Sequence, residues 1–125
     1  LEQFRDVLAD GATRLSPANN VFKACKSMAE TFMAARTEHL VQQRVIQASR
    51  FLLARGDDLD HDWEQAIAEA LLGNGDPAGP EGRKARFAAG AMMGLIQSVL
   101  KEWYACDCEA DLLDLMNEAP SLINM

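Results

Sequence analysis

Between Arg86 and Tyr104 the chain reads RFAAGAMMGLIQSVLKEWY, and as a helix this run has two different faces. At about 100° per residue, Ala85, Ala89, Met92, Ile96, Val99, Leu100 and Trp103 gather on one side, and Phe87, Gly90, Ala91, Gly94 and Ser98 on the other. The first side has the pattern of a core face. The second is nearly bare backbone, which a water-facing helix avoids, since each interior Gly costs on the order of 1 kcal/mol. A helix with two faces to bury, in so short a chain, calls for a partner, most simply a second copy of the same chain. The unbroken apolar run, Phe87 to Ile96, is too short for a bilayer and ends at Arg86 and Gln97, so the reading is no membrane partner.

With 125 residues, 49% of them hydrophobic, residues 1–125 read as one domain able to bury a core without disulfides or structural metal. Lys and Arg number 12 against 19 Asp and Glu, a formal net charge of −7 that repels phosphate backbones, so no affinity for duplex DNA is expected of these residues. The acids are uneven: six lie between Asp57 and Glu69 and six more from Glu102 onward, with no Lys or Arg in either stretch. These read as solvated faces. No signal peptide, transit peptide or lipidation motif is visible, which fits a cytoplasmic protein. The chain begins at Leu1 without a methionine, so a processed piece or a fragment of a longer protein is expected.

Helix formers dominate, β-branched runs are absent and nothing alternates with a period of two, so the expected fold is all-α with about five to six helices. A first helix should run from Leu1 to about Leu15. Ser16 and Pro17 then make a start signal, cap followed by a proline at the first helical position. In the helix they open, Val21, Cys25, Met28, Phe32 and Ala35 share one face. From Glu38 to Ser49 the expectation is a shallowly buried helix with Val41, Val45 and Ala48 inward and Gln42, Gln43, Arg44 and Gln47 outward. Arg50 to Leu72 reads as one long helix despite Gly56, because Leu52, Leu59, Trp63, Ala66, Ile67 and Ala70 fall on a single stripe. The run Gly73 to Gly82, GNGDPAGPEG, reads as a loop throughout. A last helix should start near Asp107 or Cys108, turn Cys108, Leu112, Leu115, Met116 and Ala119 inward, and end at Pro120.

Little in the sequence announces catalysis. The two histidines, His39 and His61, stand on segments that need not meet, and no Ser, His and acid form a recognisable triad. Cys106 and Cys108 form a Cys-x-Cys pair with Cys25 far off. No second pair completes a zinc site, so no metal and no cofactor are expected, and the three read as reduced thiols. His61, between Asp60 and Asp62, reads as part of a solvated helix. Met28, Met33, Met92 and Met93 suit either an irregular core or the wall of a ligand cavity.

The order of elements, from QQRVIQASRFLLARGDDLDHDWEQAIAEALL (Gln42 to Leu72), through the Gly/Pro loop, to RKARFAAGAMMGLIQSVLKEWYACDCEADLLDLMNEA (Arg83 to Ala119), resembles the C-terminal regulatory domain of TetR-family transcriptional regulators. The likeness lies in helix lengths, an Arg-rich segment before a long helix, and an Ala/Gly-rich helix ending in Trp. It implies that the last two long helices form a four-helix dimer interface with their symmetry mates and that the helices before them enclose an effector pocket. The family's N-terminal helix-turn-helix has no counterpart here, so DNA would be reached only through that missing headpiece. On this resemblance the chain is the effector-sensing and dimerisation domain of a repressor, a homodimer that binds a small, apolar molecule and is not an enzyme. Phe22, Cys25, Met28, Phe32, Trp63, Ile67, Met92 and Ile96 are the expected ligand-binding residues, with Cys25 or Gln97 available for a polar contact. Phe87, Gly90, Ala91, Gly94, Ser98, Leu112, Leu115 and Met116 are the expected dimer interface. A helical adaptor whose small-residue groove takes another protein's helix, with no small-molecule ligand, is the alternative.

Overall fold

In the computed structural model, which describes residues 1–12 and 15–123, the chain is all-helical: α1 (Glu2–Gly11), α2 (Pro17–Ala34), α3 (Arg36–Gln47), α4 (Arg50–Leu72), α5 (Pro80–Ala105) and α6 (Leu112–Ile123). Among the described residues there is no strand, and no helix is long and apolar enough to cross a membrane.

Two clusters make the core, and α2 and α5 run through both. Phe4 and Leu8 of α1 meet Val21 and Ala24 of α2, Ala66 and Ile67 of α4, and Ala89 and Met93 of α5. Further along, Ala29 of α2 packs with Val99 and Trp103 of α5, Cys108 of the following turn and Leu112 of α6. The alanines let the helices approach closely. At the α1–α2 crossing Gly11 has the same role, since a Cβ there would run into the Asn20 side chain. Asn20 lies buried at this crossing and donates its amide to the Leu8 carbonyl at 2.8 Å.

Ser16 caps α2 as its sequence announces, its side chain accepting from the Asn19 N–H with Pro17 in the first turn. Ser49 caps α4 in the same way, accepting from the Leu52 N–H, and α4 continues unbroken through Gly56.

Several boundaries and one face differ from the sequence expectation. Helix α1 stops at Gly11, and Leu15 lies outside it; residues 13 and 14, which the expectation included, fall outside the described residues. Helix α3 turns Leu40, Gln43 and Ile46 inward and leaves Val41 and Val45 56% and 55% exposed, against the expected facing of those residues, while Gln42, Arg44 and Gln47 lie outward as expected. It is peripheral, resting on α4 and α2 with no fully buried residue, so its few valines do not set its phase. Helix α5 begins at Pro80, inside the expected loop, because Pro φ suits the first helical position and Gly82 lets the Pro77 carbonyl come where a Cβ would collide. Helix α6 begins at Leu112, since Asp107 and Cys108 hold φ of 57° and 60° and form a left-handed turn; Asp111 then caps the helix, accepting from Leu113 N at 2.9 Å. It also runs past Pro120, where the sequence expectation ended it, to Ile123.

A candidate ligand cleft

Between the two core clusters α2 and α5 are not closed against each other, and the gap forms a cleft of about 680 Å³, covered by α3 and the first half of α4. That volume lies within the range of small-molecule sites, roughly 300–1,000 Å³. Its base is apolar: Cys25, Met28 and Phe32 from α2, Trp63 from α4, and Met93 and Ile96 from α5. Polar groups ring it, with His39, Gln42, Gln43 and Gln47 contributed by α3, Asp60 by α4, and Gln97, Lys101 and Tyr104 by α5.

Helical spacing explains the wall that α5 supplies, because residues 93, 96, 97, 100 and 104 return to the same side every three or four positions. Across the cleft Gln97 Nε2 donates to Asp60 Oδ2 at 3.0 Å, joining α5 to α4. Phe4 meets Trp63 at a ring-centroid distance of 4.7 Å. Phe32 lies 4.2 Å from the His39 ring and 6.4 Å from Trp103, so α3 rests on α2 partly through an aromatic contact. Arg44 also reaches Asp107 at 3.6 Å, tying α3 to the left-handed turn before α6. Both side chains are exposed, so this ion pair is a weak tie.

Burial sets the protonation of the cleft. It pushes the Cys25 thiol up to about 11 and the Tyr104 phenol above its usual range, the latter with help from the negative charges of Cys108 and Asp60. Burial also lowers the His39 pKa, against a smaller opposite pull from Glu38. Near neutral pH the three groups are uncharged.

Five of the eight residues expected from sequence to bind a ligand line the cleft: Cys25, Met28, Phe32, Trp63 and Ile96; Gln97, expected as a polar contact, lines it too. The other three do not. Phe22 is one step off the inward phase of α2 and 42% exposed, with the Lys26 ammonium over its ring. Ile67 is fully buried in the first cluster, where α1, α4 and α5 leave no space. Met92 packs half-buried on that cluster, and its neighbour Met93 takes the place expected for it.

Of the expected dimer residues, Phe87, Ala91, Gly94 and Ser98 lie together on the exposed side of α5, Phe87 being 73% exposed and Gly90 half-buried. Leu112 belongs elsewhere. It is 2% exposed, within the chain's own core, on the inward face of α6 that the periodicity gives, and Met116 of the same face lines the cleft. Leu115 packs half-buried against the second cluster.

The Cys-x-Cys pair is split, Cys106 exposed and Cys108 buried. Among the described residues no group of three or more His, Cys, Asp and Glu is placed to hold a metal ion. The cleft and the helices around it define an all-α domain with a ligand-sized opening between its two core clusters. Compared with known proteins, the chain matches no family model, no curated protein and no solved structure.

Proposed function

We propose that this chain is the effector-sensing and dimerisation domain of a TetR-type transcriptional regulator, binding a small, largely apolar molecule and performing no catalysis. The observation that carries the reading is the cleft, about 680 Å³ with an apolar base and polar rim, between two otherwise well-filled clusters. Such a gap lowers stability by lost packing unless something occupies it. Helix α3 covers it with no fully buried residue, so it can shift for a ligand at small cost, and its Arg44 touches the turn that leads into α6. In a full-length regulator a shift of that kind would alter the spacing of two DNA-reading heads. The contact between copies is centred on Phe87, Ala91, Gly94 and Ser98 of α5.

The test has two arms. A compound that binds the folded state alone should raise the melting temperature with concentration, and Trp63→Ala or Met93→Ala should remove most of the shift. Sedimentation should show a homodimer with or without ligand. The second reading, a helical adaptor, draws on the open side of α5, where Phe87 stands 73% exposed beside small residues. It permits a monomer in solution and requires no response to a broad set of compounds.

A further inference from the structure

Cys106 and Cys108 stand on either side of Asp107 in the turn that ends α5, and their surroundings differ. Cys106 is exposed, whereas Cys108 is 1% exposed and packs with Ala29, Val99, Trp103 and Leu112. Both hang on one acceptor, the Trp103 carbonyl: the Cys108 N–H donates to it at 2.9 Å and the Cys106 thiol at 3.2 Å. Asp107, at a φ of 57°, lies in the left-handed helical region. That conformation sets the Cα atoms on either side about 5–6 Å apart, within the roughly 4.4–6.8 Å that a disulfide spans. Burial raises the Cys108 pKa, with smaller pushes from Cys106 and Asp107 against a pull from Arg36. Cys108 is therefore a protonated thiol at neutral pH, and the exposed Cys106 is the one an oxidant reaches first.

We propose that this pair is an oxidation site for hydroperoxides, closed to an intramolecular Cys106–Cys108 disulfide, and that closure frees the two helices resting on the turn. In the first step the Cys106 thiolate attacks a peroxide oxygen, the O–O bond breaks, and the alcohol leaves with the thiol's proton, giving a sulfenic acid. The Cys108 sulfur then attacks the Cys106 sulfur; the S–O bond breaks, the S–S bond forms, and hydroxide leaves as water with the Cys108 proton. The two thiols give up two electrons and the peroxide takes them. Joining the buried sulfur to the exposed one draws Cys108 from the second cluster and leaves a space beside Trp103 and Leu112. So small a ring restrains the unfolded chain little, and the bond does not make up that loss. The same turn carries Asp107, the partner of Arg44 on α3, and leads into α6. Oxidation at one exposed thiol thus reaches both helices. The inference is independent of what the cleft binds.

To test it, the intact reduced chain is treated with a slight excess of tert-butyl hydroperoxide, alkylated in denaturant, cut with trypsin and weighed. Cleavage after Lys101 leaves both cysteines on one peptide. That peptide should have lost two hydrogen atoms and taken no alkyl group, with Cys25 alkylated as before, and dithiothreitol should reverse the change. The undigested oxidised chain should melt about 5 °C below the reduced one. Its amide exchange should quicken in α3 and α6 more than in α1. Cys106→Ser should show neither effect under the same peroxide, which also separates the result from methionine oxidation. Cys108→Ala, which keeps the cluster apolar, gives the same readout should the Ser variant fail to fold. A sulfinic acid on Cys106, or a disulfide between two copies, with Cys108 still open to alkylation overturns the site. An internal disulfide that leaves melting and exchange unchanged overturns its hold on α3 and α6. Neither result bears on ligand binding in the cleft, which the compound titration reads separately.

Discussion

The indole N–H of Trp103 donates to the carbonyl of Ala110 at 3.0 Å, and through that bond a fully buried side chain of α5 fixes where α6 begins. The turn between them carries two non-glycine residues at positive φ, Asp107 and Cys108, a conformation that persists only where surrounding contacts hold it. Trp103→Phe removes the donor, leaves the Ala110 carbonyl without it and opens a void beside Phe32. Urea unfolding should show a loss of about 2–4 kcal/mol. The same change at Trp63, half-buried on the cleft wall, should lower stability less; equal losses would mean that the turn does not depend on the indole bond.

Two glycines of α5 should respond to alanine with opposite signs. At Gly82 a Cβ would meet the Pro77 backbone, so Gly82→Ala has to displace the loop or the first turn and should cost about 2 kcal/mol or more. At Gly94 nothing lies within 4 Å of the added carbon, so Gly94→Ala should raise the melting temperature through helix propensity, by an amount on the order of 1 kcal/mol. Gly94→Leu is the informative extension. If copies pack on this face, sedimentation should show the dimer split with the helix content unchanged.

How legible these features are depends on how many neighbours an element has. Helices α2, α4 and α5 cross the core, so most of their apolar stripes are buried: Val21, Ala66 and Ile67, and Ala85, Ala89, Val99 and Trp103 lie inside, whereas Leu59, expected on the α4 stripe, stays 49% exposed because the first half of α4 borders the cleft and not the core. Helix α3 rests at the edge, where Val41 and Val45 stay in water and Gln43 turns in, because the contact of the His39 ring with Phe32, and not an apolar stripe, positions it. The start of α6 is hidden for a related reason: no glycine marks the left-handed turn at Asp107 and Cys108, which tertiary contacts hold in place. The cleft is half legible in the same sense. Cys25, Met28, Phe32 and Ile96 follow from periodicity, whereas Met93 takes the place expected for Met92, and Gln43, Ile46 and Asp60 enter the cleft only through the way α3 and α4 lie across the gap.

Thiol labelling should separate the three cysteines. Cys106 is exposed, Cys108 is buried, and Cys25 sits on the cleft wall with burial holding its thiol near 11, so little thiolate exists there at neutral pH. Mild iodoacetamide at about pH 7.5 should modify one site quickly, with Cys25 and Cys108 reacting only as the chain opens. Peptide mapping that found Cys25 modified first would contradict the arrangement of the α2 wall.

At the α1–α2 crossing, Asn20 serves as a donor to Leu8. Asn20→Asp keeps the shape but turns that donor into an acceptor facing a carbonyl, and adds a charge in a residue only 4% exposed. The expected loss is about 3 kcal/mol at neutral pH. Part of it should return on acidification, since the protonated carboxyl can donate again. A variant as stable as the parent would place Asn20 outside the core.

His39 gives the chain a pH dependence with a definite sign. Its ring lies 4.2 Å from that of Phe32, and burial makes its folded pKa lower than the ordinary value of 6.5, with Glu38 opposing part of the effect. The unfolded chain therefore takes up a proton before the folded chain does. Stability from this group is complete above the unfolded value, begins to fall as the pH drops through it, and is lost once the pH passes below the folded pKa. Melting temperatures taken from about pH 7.5 to 5 should decline, and in His39→Phe, which keeps an aromatic ring on Phe32 but cannot titrate, the decline should be shallower. The quantity to compare is the slope against pH and not the absolute melting point, because the added ring also changes packing. Carboxylates titrate in both proteins and cancel in that difference. Equal slopes would show that His39 is as well solvated in the folded chain as in the unfolded one, and α3 would then not rest on Phe32 in solution.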